Sequence, residues 1–246
     1  MKNIKIIITV CIACLACEKK DDGTGYKLAS HFTFDSTLTD KNHFSHDVQI
    51  VANAGAGSIY DFNVNGKIGS CINLLGNGHI HCEKNLFANY ASEYEKAKEY
   101  TVSFWMKIND ISGTGLLNIL ETHSSFNIGT TTLDLGISLR NDSLLIKHYD
   151  YSVVGNPLTE NIVDINTNDW NNIIAIFNSK AYVVLINGVE VYYARRDITN
   201  NQFLNTLYIG NDENINAGLY MYADELMVYN YALTPTEATN YYNSTK

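Results

Sequence analysis

Proline is almost missing from this chain, with two residues in 246, so strand interiors are free of the lost amide donors that proline imposes. Charge is thin as well, at 17% of residues, and 17 basic side chains are scattered among 26 acidic ones for a net charge of −9. A phosphate backbone is held by clustered Lys and Arg that displace its counterions. No such block is present, which excludes nucleic acid as a partner. The apolar runs fall short of the roughly 20 residues that a membrane-crossing helix needs. No heptad pattern, internal repeat or low-complexity tract occurs. What the chain does have is 46% hydrophobic residues and 11% aromatic ones, 17 of them Tyr. That is the composition of a globular protein with a core, and neither of a disordered chain nor of a coiled coil.

Cysteine is scarce and unevenly spread: three of the five lie in the first 17 residues. There Lys2 and Lys5 precede an apolar run from Ile6 to Ala16, with the charge and length of a secretory signal peptide. Small Ala16 stands directly before Cys17, a pattern that resembles a bacterial lipobox. Residues 1–16 are therefore predicted to be removed and Cys17 to be acylated. Cys14, preceded by Ile12 and Ala13, is the second candidate. The polar tether 17–25 contains EKKDDG, which resembles the acidic and lysine-rich export tags of Bacteroidetes surface lipoproteins. It implies a lipid-anchored outer-membrane protein, exposed at the cell surface, whose contact with the membrane is the anchor alone. A cleaved secreted protein or a periplasmic lipoprotein is the alternative. Processing at Cys17 takes away Lys2 and Lys5, leaving 15 basic against 26 acidic side chains, a net −11.

From about Tyr26 onward, period-two alternation recurs in short runs punctuated by Gly, Asn and Asp, and helical periodicity is confined to Ala91 to Glu99. In TVSFWMKI, Val102, Phe104, Met106 and Ile108 share one face while Ser103, Trp105 and Lys107 share the other. Leu133, Leu135, Ile137 and Leu139 alternate in the same way with Asp134, Gly136 and Ser138. Trp170, Ile174 and Ile176 fall on one parity of WNNIIAIF. Asn187-Gly188, between YVVLI and VEVYY, is the strongest hairpin signal, because both residues tolerate the positive φ of a type I′ turn. After the last strand, Thr234-Pro235-Thr236-Glu237 forms a capping box with Pro at the first helical position, predicting a short helix to about Tyr242. Residues 26–246 read as one all-β domain.

Export places Cys71 and Cys82 in an oxidising compartment. A two-residue Gly76-Asn77 turn of type II′ pairs Leu75 with Gly78 and sets Cys71 opposite Cys82, which predicts a disulfide. A three-residue turn over 76–78 breaks that register.

HFTFDSTLTDKN, YTVSFWMKI, NDWNNIIAIFN with AYVVLINGVEVY, LYIGN and ADELMVYNYALTPTEATNYY occur in the order seen in laminin-G-like domains of the concanavalin A-like jelly-roll superfamily. The chain resembles that family over residues 28–243. The resemblance implies a sandwich of two antiparallel sheets with its first and last strands adjacent and a short C-terminal helix. It also implies a domain that binds glycans or proteins. Parity sets Asp224 on the face of Leu226 and Val228, toward the core, where an ionised carboxylate needs a partner. Asp35 closes the first strand and Asp40 follows in a polar loop. In related domains acidic residues at the first and last strands hold calcium, so Asp35, Asp40 and Asp224 are the expected ligands of a structural calcium ion, completed by carbonyl and water oxygens. Capping of backbone amides by Asp224 is the alternative.

Chemistry is poorly provided for. Retaining glycosidases need two carboxylates roughly 5 Å apart, and the Glu-x-Asp-x-x-Glu pattern of glucanases on this fold is absent. Asp224 and Glu225 are neighbours on a strand and point to opposite faces. Glu121 and His123 in NILETH share a face and form the nearest acid–base couple. The Arg, Gln-x-His and Tyr signatures of alginate lyases are missing, as are phosphate loops and HExxH or CxxC patterns. His79 and His81 flank Ile80 without an evident third ligand. The expectation is therefore no catalysis. Sugars stack on aromatic rings, and Tyr149 and Tyr151 in KHYDYSVVGNP, with Phe126 and His123 around HSSFN, are the candidate ligand-binding residues. The function expected is a lipid-anchored surface module that recognises a carbohydrate or a surface protein without transforming it. A glycan-degrading enzyme, or a structural subunit of an outer-membrane uptake or adhesion assembly, is the alternative.

Overall fold

The structure, a computed structural model, describes residues 28–41, 49–52, 59–63, 65–76, 78–82, 99–111, 117–125, 131–149, 157–195, 203–210 and 219–246. In these segments the chain forms β1 (Leu28–Phe32), β2 (Gln49–Ala52), β3 (Tyr60–Asn63), β4 (Cys71–Leu74), β5 (Gly78–Cys82), β6 (Tyr100–Ile111), β7 (Leu117–Ser125) and β8 (Thr131–Arg140). There follow β9 (Ser143–Tyr149), β10 (Pro157–Asp164), β11 (Asn171–Phe177), β12 (Ala181–Ile186), β13 (Val189–Arg195), β14 (Phe203–Gly210), β15 (Leu219–Tyr229) and the helix α1 (Pro235–Thr245). Cys14 and Cys17, the helical-period run 91–98, Phe126 and Tyr151 lie outside the described residues, as does the side chain of Tyr149.

The strands form two antiparallel sheets, as expected for a jelly-roll sandwich. One runs β13-β12-β11-β6-β15-β4-β3 with β1 added beside β15, and the other runs β10-β9-β8-β7-β14-β5-β2. Alternation decides what lies between them. Val102, Phe104 and Met106 meet Leu135, Ile137, Leu207 and Ile209 in the inter-sheet core. The opposite parity of the first sheet, including Ile174, Ile176, Val183 and Met227, makes a second apolar layer against Ala238 and Tyr241 of α1. This is why β11 and β12 are buried on both faces. The capping box holds α1 at its start: the Thr234 side chain accepts from the Glu237 amide and Glu237 reaches back to the Thr234 amide. Asn187 and Gly188 have φ of 52° and 76°, as the hairpin signal requires. The first and last strands are adjacent, with Ser30 opposite Val228.

Three readings are corrected. β4 and β5 do not form a hairpin. They lie in different sheets, so Cys71 sits opposite Asn63 and Cys82 opposite Leu207. Both are buried free thiols, and the predicted disulfide is absent. Asp134 does not follow parity to the surface. At a bulge, Thr122 and His123 of β7 oppose Leu135 and Leu133, and the fully buried Asp134 accepts the hydroxyls of Tyr182 and Tyr100 at 2.5 and 3.2 Å. Asp224 does not face the inter-sheet core either. Met221 and Ala223 face it before an irregularity between Asp224 and Met227, and Leu226 and Val228 face it afterwards. The offset, with Glu225 at φ 50°, leaves Asp224 on the opposite face, in register with Trp105.

Candidate functional site

Both tryptophans of the chain converge on one cleft of about 380 Å³. Trp105 projects from the outer face of β6 because its neighbours Phe104 and Met106 are committed to the core. Trp170 leads into β11 at the end of the 165–170 connection. Within the cleft Trp105 packs beside Tyr242 of α1, ring centroids 5.8 Å apart. Lys67 Nζ lies 4.4 Å from the Trp105 centroid and Lys246 Nζ 5.8 Å from that of Tyr242. Trp170, Asp164, Asn166 and Asp169 also line the cleft. Trp170 also leans on Tyr222, 6.3 Å between centroids. Trp105 is 2% exposed, and its buried Nε1–H has no acceptor among the described residues.

Asparagines stitch this end of the sandwich in place. Asn171 donates to the carbonyls of Asn166 and Asp169 at 2.8 and 2.9 Å, and Asn187 donates to Asn171 Oδ1 at 3.0 Å while accepting the Asn172 amide at 2.8 Å. Asn166 donates to Asp169 Oδ2 at 2.6 Å, and Ser143 to Asp164 Oδ1 at 2.7 Å. The polar rim is thus organised before any ligand arrives, which lowers the ordering cost of binding.

Behind Lys67 lies the place where β15 changes partner along one edge, from β4 at Met221–Ala223 to β1 at Leu226–Tyr229. Strand pairing lapses there, and carboxylates serve the backbone instead. Asp224, fully buried, accepts the amides of Ile68 at 2.9 Å and Glu225 at 2.8 Å, and Asp35 accepts that of Ser70 at 2.8 Å. Two of the three expected calcium ligands therefore grip loop 65–70, at Ile68 and at Ser70. Asp40 is turned toward β1, where it accepts the His31 amide at 2.9 Å, and Glu225 pairs with His31 at 2.6 Å. Burial, with the Glu225 carboxylate adding to it, pushes Asp224 up to about 7 against the opposing pull of the backbone amides it accepts. A Cβ on Gly66 would come within 2.9 Å of Asp224 Oδ2, so the loop needs glycine for this approach. No three His, Cys, Asp or Glu side chains cluster as metal ligands among the described residues. Asp35 and Asp224 nonetheless fit a calcium ion in charge and hardness, with loop oxygens as the remaining donors.

His123 stands elsewhere, on the outer face of the second sheet. Ring contacts join it to Tyr208 at 5.3 Å and Tyr208 to His81 at 4.7 Å, and Glu121 lies 3.5 Å from His123. Cross-strand register continues this row from His81 through Tyr208, Glu121, Gly136 and Lys147 to Glu160. Glu160 is spent on Lys147 at 2.9 Å. It is three strand spacings from Glu121, roughly 14 Å, beyond the separation of either glycosidase class. Periodicity had separated Trp105 from the core face and placed Trp170 at the head of a strand; it had no means of showing that α1 and loop 65–70 bring Tyr242 and Lys67 to them.

A family model described as the concanavalin A-like lectin/glucanases superfamily matches residues 86–239, more than half of the chain. No curated relative matches. Among solved structures, domain 4 of AbnA, an extracellular arabinanase of Geobacillus stearothermophilus solved with arabinotriose, is similar at 22% identity and a TM-score of 0.58, covering 87% of this chain and 98% of that one. The binding domain of botulinum neurotoxin DC in complex with SialylT is similar at 14% identity and a TM-score of 0.62, covering 91% and 52%. The same toxin domain in complex with rat synaptotagmin II is similar at 12% identity and a TM-score of 0.62, covering 89% and 52%. The chain thus spans about half the length of the toxin domains, and at these identities the likeness is one of fold.

Proposed function

The chain belongs to the concanavalin A-like lectin/glucanases superfamily, and we propose that it is a non-catalytic module that binds a carbohydrate in the Trp105–Trp170 cleft. The observation that carries this reading is the convergence of both tryptophans with Tyr242 and a fixed rim of Asn and Asp side chains. The Trp170 face takes the apolar side of a sugar ring, with Trp105 as the buried floor beneath Lys67 and Tyr242, and amides and carboxylates take its hydroxyls. Similar folds in structures solved with arabinotriose and SialylT support a glycan as ligand, and the synaptotagmin complex supports a surface protein as the second partner class. Wide carboxylate spacing on the second sheet supports binding without turnover. The module is anchored through Cys17 in the outer membrane facing the surroundings, and calcium held by Asp35 and Asp224 keeps loop 65–70 in place.

The test is a glycan-array screen of the full chain followed by calorimetric titration of the best hit. Trp170→Ala is expected to weaken binding about tenfold or more with an unchanged melting temperature. Undiminished affinity in that variant would remove the cleft from consideration.

A further inference from the structure

We infer, on the basis of the cleft reading above, that the saccharide is anionic, carrying a carboxylate or a sulfate that is received by Lys67 and Lys246. Two lysines and two aspartates line the cleft, and they differ in what already engages them. Lys67 stands over Trp105 and Lys246 over Tyr242, two rings that are themselves in contact. Neither ammonium forms an ion pair with a carboxylate among the described residues, in a chain whose net charge is −9. The carboxylates of the cleft are already engaged, Asp164 with Ser143 and Asp169 with Asn166, and remain available as acceptors for sugar hydroxyls. A neutral sugar leaves both ammonium groups unmatched, whereas an anionic one meets them with its charged substituent.

Lys67 is also held where it is needed. It lies in loop 65–70, whose amides at Ile68 and Ser70 are fixed by Asp224 and Asp35, and Asp224 is in register with the Trp105 that Lys67 covers. A cation that is positioned by its backbone, and that rests on an aromatic face with no ion-pair partner, loses little on accepting an anion. It gains a charge-assisted hydrogen bond.

The experiment uses the full chain on an array of matched pairs: uronate oligosaccharides beside their carboxyl-reduced forms, and sulfated oligosaccharides beside their desulfated forms. The expected result is binding of the anionic member of a pair over its neutral form. Titration of that hit is then expected to lose about tenfold in affinity in Lys67→Gln, to recover in Lys67→Arg, and to weaken in high salt. The uronate and sulfate arms tell the two anion sources apart. If neutral and anionic members bind alike, with sensitivity to Trp170→Ala but none to Lys67→Gln, this inference fails while the glycan-binding cleft stands. If no glycan of either kind binds, or binding ignores Trp170→Ala, the cleft reading fails and this inference with it.

Discussion

At the scale of single residues, Asp224 sets the pH response. An unfolded Asp releases its proton near 3.8, whereas burial holds the folded one up to about 7. Between those values the native state binds more protons than the unfolded chain, so this group makes stability fall as pH rises from about 4 to about 7, by up to about 4 kcal/mol. Calcium requires the ionised carboxylate and would offset that loss by favouring the folded, metal-bound form. The expected outcome is a melting temperature that drops across this window in chelator, more steeply than in Asp224→Asn, and that calcium restores at pH 7 but not at pH 4. Equal slopes in both proteins, with no response to calcium, would leave Asp224 as a capping group alone. The two thiols are the other residue-scale case. Burial and the nearby Asp224 and Asp61 carboxylates push Cys71 up to about 12, and burial raises Cys82 as well. Thiolate is the reactive form, so neither cysteine should react with a thiol reagent in the native protein. Both should appear on unfolding without reductant; failure to find them would reinstate the disulfide.

At the scale of elements, the β12–β13 hairpin and α1 pack on each other beside the cleft, and each has one position on which its geometry turns. Gly188 lies at φ +76°, and an added Cβ would stand 2.6 Å from Tyr242 Cδ1. Gly188→Ala therefore strains the turn and displaces the ring that packs on Trp105. A loss of about 1–2 kcal/mol in denaturant unfolding is expected, with weaker glycan binding. Thr234→Ala removes the side-chain acceptor of the α1 N-cap and should cost about 1 kcal/mol. If α1 is also what seats Tyr242, binding will decline with helix stability across these variants. Both features were legible in the sequence because they rest on local chemistry: two residues tolerant of positive φ, and a capping box. The register of β4 and β5 was not legible, because a short Gly-containing connection serves equally for a hairpin and for a crossing between sheets. The choice is made by β15 and β14, which compete for the two strands from more than a hundred residues away.

At the scale of the whole molecule, the sandwich has two outer faces with different chemistry, and its binding and catalytic readings fall on opposite ones. Strand parity was enough to tell inward from outward residues over most of the chain, and it failed at Asp134 and Asp224, where bulges insert a residue and reverse the faces beyond it. Glu121 and His123 kept their predicted shared face, but a constellation such as Trp105, Tyr242, Lys67 and Trp170 is drawn from four separate stretches, and no local pattern announces it. The consequence is a double dissociation. Glu121→Gln alters the outer face of the second sheet, beside Tyr208, and should leave glycan affinity within about twofold of the parent, since the charge it removes lies across the core from the cleft and is screened over such distances. Trp170→Ala should abolish most binding while leaving the Glu121–His123 couple untouched. Product analysis after prolonged incubation with the bound oligosaccharide is expected to show intact ligand in both variants and in the parent. Should the parent release shorter products and Glu121→Gln fail to, the second sheet would be an active site and the cleft an accessory to it.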